Sequence, residues 1–302
     1  MTNRIQRFIA FLLVLCIPIF AIAGCTNNDV ANAANQVTTN ANGTYSIDTK
    51  TTTPEGKLDV YMLDIGQGDA ILLKVGDEYS MIDTGDIEHR ENIVAQLKTM
   101  GVTKLKNIII THPHADHMGG FYAIAKAMPI EHVYDDGIAV DNNMYKTYEK
   151  WIEKNKIQRT TLRSGDVVDF GHGAVFVVYA PWVEPLTDKK GETDLNNNSI
   201  VGKLIFGKFS MLFTGDAELQ EEKKLIKEQN SRLFARILKV GHHGSRTSSS
   251  EDFLKSIKPE SALISNGMYN KYGHPHDVTL RRLQENNIAI YRTDTMGRIH
   301  IS

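Results

Sequence analysis

The sequence predicts an α/β protein built as two mixed β-sheets stacked face to face, with helices on the outside. Three observations point there. Short runs of β-branched and aromatic residues alternate with longer amphipathic stretches, so strands and helices alternate along the chain. The alternation occurs in two halves of similar style. Residues able to hold metal ions recur at the ends of predicted strands, where an α/β sheet collects its function.

Residues 57–63, 70–75 and 79–82 read as strands, parted by Gly66-Gln67-Gly68 and Gly76-Asp77. A helix over 87–100 ends at Gly101. Residues 107–110 are too few and too β-branched for a helix and read as a buried strand. A helix at 119–127, a strand around Val133, a helix at 142–154 and short strands between 158 and 180 follow. In the second half, strands at 199–206 and 209–213 flank Gly207-Lys208. A helix at 217–228, a strand at 237–240, a helix at 249–257, a strand at 261–264 and a helix at 278–286 come next. Strands at 288–291 and 299–301 close the chain, and no repeat of fixed period runs through it.

The 302 residues are 41% hydrophobic and 23% charged, which suits a protein that buries a core. That balance excludes a disordered, collagen-like or multi-span membrane chain. Arg4 and Arg7 precede an uncharged run from Phe8 to Ala23, 16 residues interrupted by Pro18. This is short for a membrane span and reads as a secretory leader over residues 1–24. Its end, Ile22-Ala23-Gly24-Cys25, resembles a bacterial lipobox, which implies cleavage before Cys25 and a lipid on that sulfur. Losing the leader takes the formal charge from -2 to -4, because Arg4 and Arg7 leave and no acid does. No global field then attracts a polyanion. Cys16 leaves and Cys25 is acylated, so a disulfide framework, cysteine catalysis and thiolate zinc sites are all excluded. Residues 25–56, rich in Asn, Thr and Ala, read as a flexible tether, and 57–302 as a single folded unit.

The chemistry concentrates in Thr111-His112-Pro113-His114-Ala115-Asp116-His117. Along an extended loop, positions i and i+2 point the same way, so His112 and His114 can grip one metal together. Asp116 and His117, beyond the bend, can address a second. Other ligand-type residues end other strands: Asp83, Asp216, the pair His242-His243, and His274 with His276.

The HxHxDH run, a later Gly215-Asp216 and a still later His242-His243-Gly244 resemble the metallo-β-lactamase superfamily, an αββα sandwich with two metals at the edge between its halves. Asp64-Ile65-Gly66-Gln67-Gly68-Asp69, Asn196-Asn197-Asn198-Ser199 and Asn270 to His276 extend the resemblance to the extracellular domain of ComEC-type DNA-uptake proteins, across about 57–302. The resemblance implies His112 and His114 on metal one, Asp116 and His117 on metal two, Asp216 bridging both and His242 closing metal two, with His243 as the alternative. It implies Asp83 behind the His cluster. Asp64, Asp69, Asn198, His243 and His276 are candidates for orienting ligands or touching substrate. Asp64, Gln67 and Asp69 also fit as turn formers, and His274 as a packing residue against Tyr272 and Pro275. The serines from Ser245 to Ser250 fit a helix cap. One departure is clear: the superfamily's middle histidine is missing, with Leu195 to Ser199 in its region, and His172 reads as a hairpin turn. Metal one is therefore expected to be looser and more tolerant of manganese.

The implied reaction is phosphodiester hydrolysis by water activated between two divalent ions, Zn²⁺ or Mn²⁺. Asp116 and Asp216 would be catalytic, and His274 would serve the leaving group. DNA is the expected substrate. Arg236, Lys239, Arg246 and Lys271 offer a small positive rim. The alternative is a cell-wall phosphodiesterase resembling teichoic-acid phosphorylcholine esterases; a further one is an inactive binding module. The expected location is the extracellular face of a bacterial membrane, held by the lipid on Cys25, with no obligate protein partner. Replacing Cys25 by alanine should release the chain from the membrane fraction and abolish globomycin-sensitive processing; retention on the membrane would refute the lipid anchor.

Overall fold

The computed structural model describes residues 37–39, 45–47 and 54–302; the leader over 1–24 and the candidate lipid site Cys25 lie outside them. Within the segment read as a tether, β1 (Val37–Thr39) and β2 (Tyr45–Ile47) pair antiparallel. Their β-branched and aromatic residues flank Asn42-Gly43, a hairpin signal. Three paired residues per strand make a ribbon too short to be stable alone.

Two seven-stranded sheets follow. The first takes β3 (Leu58–Met62), β4 (Ala70–Val75), β5 (Glu78–Thr84), β6 (Leu105–Ile109), β7 (Ile130–Asp135) and β8 (Gln158–Thr161). The second takes β9 (Val167–Gly171), β10 (Ala174–Ala180), β11 (Val201–Phe206), β12 (Phe209–Phe213), β13 (Ile237–Lys239), β14 (Ser261–Ile264) and β15 (Ala289–Arg292). The last strand, β16 (Ile299–Ile301), returns to the edge of the first sheet beside β3. Both sheets are mixed. β5 to β8 run parallel to one another, as do β12 to β15.

Three apolar layers hold this arrangement. Between the sheets lie Val60, Ile71, Ile82, Ile109, Phe170, Phe176 and Phe213. Outside the first sheet, helices Arg90–Thr99, Phe121–Ala127 and Asn143–Asn155 contribute Ile93, Leu97, Phe121, Tyr148 and Ile152. Outside the second, helices Leu219–Gln229, Glu251–Ile257 and Asp277–Glu285 contribute Leu225, Phe253, Ile257 and Leu283. None of the described helices is long and apolar enough to cross a membrane.

Element type follows the sequence reading, and the differences have local causes. The helix expected at 119–127 is preceded by a separate turn, Ala115–Met118. The break falls at Gly119-Gly120, where a Cβ on Gly120 would sit 2.0 Å from the Thr84 carbonyl oxygen. The helix expected from 87 starts at Arg90, because the Asp86 carboxylate accepts from Glu88 N (2.8 Å) and holds a turn there. An additional helical turn, Thr293–Met296, separates the last two strands. Ser250 caps its helix by accepting from Phe253 N (3.4 Å), as the serine run suggested.

The C-terminal ends of β5, β6, β12, β13 and β14 meet at one edge, where the sheets are tied directly. Ile200 N donates to Thr111 O (2.8 Å) and Ser265 Oγ to Gly68 O (2.6 Å). Gly68 has φ +121, and a Cβ there would lie 2.3 Å from Asp116 O. Only glycine lets this turn close on the loop that carries Asp116. The third tie is ionic. Lys239 Nζ, at the end of β13, lies 2.6 Å from Asp69 Oδ2, just before β4, and both side chains are sealed from solvent. Lys239 is therefore no part of a positive rim: it neutralises a buried carboxylate. Arg236 is also committed, to Glu260 at 3.1 Å. Removing one partner of a buried pair strands the other charge. Lys239→Met should lower unfolding free energy by about 3–5 kcal/mol in urea melts, and Lys239→Met/Asp69→Leu should regain much of that. Equal stability of Lys239→Met and the parent would show that the pair carries no such burden.

Candidate metal centre

Every residue of the centre lies at or just beyond the C-terminal end of a strand at this shared edge. Asp83 is the last residue but one of β5. The run Thr111 to His117 follows β6, Asp216 follows β12, and His242-His243 follow β13. Buried apolar strands such as Leu105–Ile109 fix each loop at its root.

Asp116, His117, Asp216 and His243 bring one ligand atom each within 4.8 Å of one another. His117 Nε2 lies 3.2 Å and His243 Nε2 3.5 Å from Asp216 Oδ1; His243 Nε2 is 3.3 Å from Asp116 Oδ2. A second group joins His112, His114 and Asp216. His112 Nε2 is 3.0 Å from His114 Nδ1 and 3.9 Å from Asp216 Oδ2. Asp216 thus belongs to both groups, one oxygen to each.

The structure pairs the adjacent histidines differently from the sequence expectation. His243, not His242, enters the group with Asp116 and His117. His243 is fully buried, while His242 faces the cavity, with its Nε2 3.6 Å from Asp216 Oδ2. Both residues have left-handed backbone, φ +46 and +53, within the Gly241–Gly244 turn. That turn brings both rings toward the same carboxylate, where an extended strand would send them to opposite faces.

The imidazoles are oriented from behind. His117 Nδ1 lies 2.8 Å from Asp83 Oδ2, and His243 Nδ1 2.8 Å from Ser265 O. Thr111 supports Asp83 twice, through its backbone N (2.7 Å) and its hydroxyl (2.8 Å). With that hydroxyl donating to Asp83, His112 Nδ1–H (3.1 Å) donates to it. His242 Nδ1–H donates to Glu218 Oε1 (2.9 Å), which also accepts from Thr247 Oγ1 (3.0 Å). In each of these four rings Nδ1 is occupied, so Nε2 is presented to the centre.

Charge follows the same geometry. Burial opposes ionisation of Asp216, yet His117 and His243 hold its carboxyl well below the usual range. Burial likewise works against a charged His117, but Asp216, Asp83 and Asp116 raise it well above the ordinary imidazole range. Burial pushes His112 well down, helped by the charge on His117. His274 is pushed down to about 4, first by burial and then by His242 and His243. It is a neutral imidazole at neutral pH.

A metal ion fits this donor set. Among the described residues, His117 Nε2, His243 Nε2 and Asp216 Oδ1 are buried without a hydrogen-bond partner, and all three converge. Buried polar atoms left this way are rare, and a shared cation resolves all three together. The cluster is compatible with divalent-metal binding.

Over it opens a cavity of about 330 Å³, lined by Gln67, His114, Asp116, Asn196, His242, Tyr272 and His274 among others. Gln67 Nε2 and Asn196 Oδ1 are buried without partners among the described residues.

Several expected residues lie elsewhere. Asn198 points away: its amide donates to Leu186 O (2.8 Å) and Asp194 O (2.7 Å) and accepts from Leu186 N (2.8 Å), stapling a loop. Asn196 is the asparagine at the cavity. Asp64 is exposed, and only its carbonyl works, accepting from Gln96 (2.8 Å). His276 Nδ1 accepts from Arg246 N (3.0 Å) beside the start of helix Asp277–Glu285. His172 sits in the β9–β10 turn with φ +51, as expected. Asp69 does lie against the centre, buried 3.6 Å from His243 Nδ1 and 3.9 Å from His117 Nδ1, and pairs with Lys239. The reading from sequence passed over Glu218, Asn196, Ser199 and Ser265. Glu218 has a positional signal, close after Asp216 in the loop that follows β12; Asn196 and Ser199 precede β11 and Ser265 follows β14, where no ligand marks the place.

Comparison with known proteins agrees with the geometry. Residues 63–267 match the model of the metallo-beta-lactamase superfamily. Competence protein ComA of Neisseria gonorrhoeae is 29% identical over 247 residues, covering 82% of this chain and 32% of that protein. ComE operon protein 3 of Bacillus subtilis is 30% identical over 264 residues, covering 81% and 33%. The chain thus spans about a third of the length of these relatives. Among solved structures, the metallo-beta-lactamase fold protein YhfI from Bacillus subtilis superposes with a TM-score of 0.56 at 11% identity, over 81% of this chain and 100% of that one. Two stacked mixed sheets, a His/Asp cluster at their shared edge and this match over most of the folded part lead to one conclusion: the chain belongs to the metallo-β-lactamase superfamily.

Proposed function

We propose that this protein is a metal-dependent phosphodiesterase acting on DNA, with two divalent ions, Zn²⁺ or Mn²⁺, held around Asp216. The observation that carries this reading is the convergence of three buried, unpartnered ligand atoms on one point, beside a second His/His/Asp group that shares the same carboxylate. The resemblance to DNA-uptake proteins supplies the substrate class, and one relative is a competence protein by name. The proposed site is extracellular and tied to the membrane through Cys25.

Asp116, His117, Asp216 and His243 would hold one ion; His112, His114 and Asp216 would hold the other. His242 stands beside the second group, its Nε2 3.6 Å from Asp216 Oδ2, and would add an imidazole to a group that lacks the superfamily's middle histidine. Ions bound there supply Lewis-acid polarisation of a phosphoryl oxygen and a lowered pKa for water. Asp83, Ser265 and Glu218 keep the imidazoles in the tautomer that presents Nε2. His274, neutral at neutral pH, donates a hydrogen bond to a phosphoryl or leaving oxygen and carries no positive charge there. Gln67 Nε2 offers a further donor on the cavity wall.

The purified chain loaded with Zn²⁺ or Mn²⁺ should hydrolyse bis-p-nitrophenyl phosphate and cleave DNA. Asp216→Ala should lower the rate by roughly a hundred- to a thousandfold. Metal content measured in parallel should fall further in His243→Ala than in His242→Ala. Activity on phosphorylcholine esters with none on single- or double-stranded DNA would move the assignment to a cell-wall phosphodiesterase. Metal binding without any hydrolysis would leave a binding module.

A further inference from the structure

Glu218 connects the metal centre to a second cavity. Its carboxylate holds His242 and also lines a groove of about 870 Å³ along helix Leu219–Gln229. The charged lining of that groove is Lys223, Lys224, Lys227 and Arg246 against Glu218 and Glu228. Both acids are engaged, Glu218 by His242 and Thr247, and Glu228 by Lys224 at 3.8 Å. Lys223 and Lys227 are exposed and about one helical turn apart. Among the described residues neither they nor Arg246 has a carboxylate partner. In a chain of formal charge -2, three uncommitted cations therefore gather in one groove, joined to the site through the Glu218–His242 contact.

A second feature sits at the His274 end of the cavity. Tyr272 lines it and stacks on His274, with ring centroids 5.6 Å apart. Lys271 lies over the Tyr272 ring at 5.0 Å, and Tyr269 on the same loop is 96% exposed. An aromatic face in the site's cavity and a cationic groove reached through His242 and Glu218 together offer what a single nucleic-acid strand needs, a surface for stacking bases and cations for pairing phosphates. A quaternary ammonium head group gains nothing from the lysines.

We propose that a single nucleic-acid strand lies across the centre, with a base against Tyr272 and the phosphates of one flank in the Lys223–Lys227–Arg246 groove. This rests on the phosphodiesterase reading and adds the extent and strandedness of the substrate.

Anisotropy of a fluorescein-labelled 20-nucleotide thymidine strand, titrated with the full chain in EDTA, measures binding without turnover. Three phosphate contacts at a slope of about 0.7 each predict that the affinity they supply weakens about twentyfold between 50 and 200 mM salt. Lys223→Glu/Lys227→Glu/Arg246→Glu should raise Kd at least about tenfold at low salt and flatten that dependence by about 2 in slope. Tyr272→Ala should raise Kd by about fivefold or more. The charge-matched Lys126→Glu/Lys150→Glu/Lys154→Glu, on the helices of the other half, should leave Kd within about twofold of the parent. Equal losses in both triple variants would reduce the effect to net charge and overturn the groove. Tighter binding of duplex than of single strand, or competition by a phosphorylcholine polymer with no binding of the thymidine strand, would overturn the strand assignment. Hydrolysis of bis-p-nitrophenyl phosphate by the metal-loaded parent reports separately on the underlying reading. It can succeed while the groove triple variant binds like the parent, and that result overturns the groove alone.

Discussion

A buried carboxylate sets the terms for this structure. Asp216 is almost sealed from solvent, yet it is held as an anion. An isolated buried carboxylate costs several kcal/mol and would simply take up a proton. Asp216 avoids that because His117 and His243 face one oxygen while His112 and His242 approach the other. The four rings come from loops after β6 and β13, and Asp216 itself follows β12. No single sheet can bring these together. Only the line where the C-terminal edges of both sheets meet gathers them, so the sandwich and the centre are one constraint seen at two scales.

The surrounding ties show how that meeting is kept rigid. Asp83 braces His117 from β5, Ser265 braces His243 from β14, and Glu218 braces His242 from the start of a helix. Ser199, just before β11, accepts from the Asp216 backbone N at 3.0 Å. The bracing group mostly comes from a different strand than the ring it braces. A shift of any one loop therefore disturbs several rings at once. The buried Lys239–Asp69 pair extends the same logic one layer down, where a lysine cancels a carboxylate that would otherwise repel Asp83.

Much of this was legible in the sequence, for identifiable reasons. Apolar β-branched runs such as Ile108 to Ile110 mark strands, and polar ligand residues soon after them mark the functional edge. His112 and His114 do come together as the i, i+2 spacing suggests, their nitrogens 3.0 Å apart, although the chain bends at His112-Pro113. The same reasoning breaks down at His242 and His243, where two successive left-handed residues cancel the alternation. A sequence shows glycines on either side of such a pair but not the φ angles of the pair itself. Asn198 was illegible for another reason: in a row of three asparagines, only tertiary contact decides which amide staples the 186–194 loop and which faces the cavity. Lys239 looks like a surface cation in any one-dimensional reading, because its partner Asp69 is far away along the chain.

The His242-His243 turn also bears on the missing middle histidine. Left-handed conformations at two non-glycine residues cost of order 1–3 kcal/mol each and persist only where the surroundings determine them. Here His242 N donates to Gly215 O (3.1 Å) and Ser245 N to His242 O (2.8 Å), which pin the turn on both sides. The result is that one dipeptide addresses both oxygens of Asp216, His243 at 3.5 Å from Oδ1 and His242 at 3.6 Å from Oδ2. A chain whose 195–199 segment offers only amides and a hydroxyl has no imidazole to place from that side. The strained turn delivers a second imidazole from the opposite side, and Glu218 holds it there.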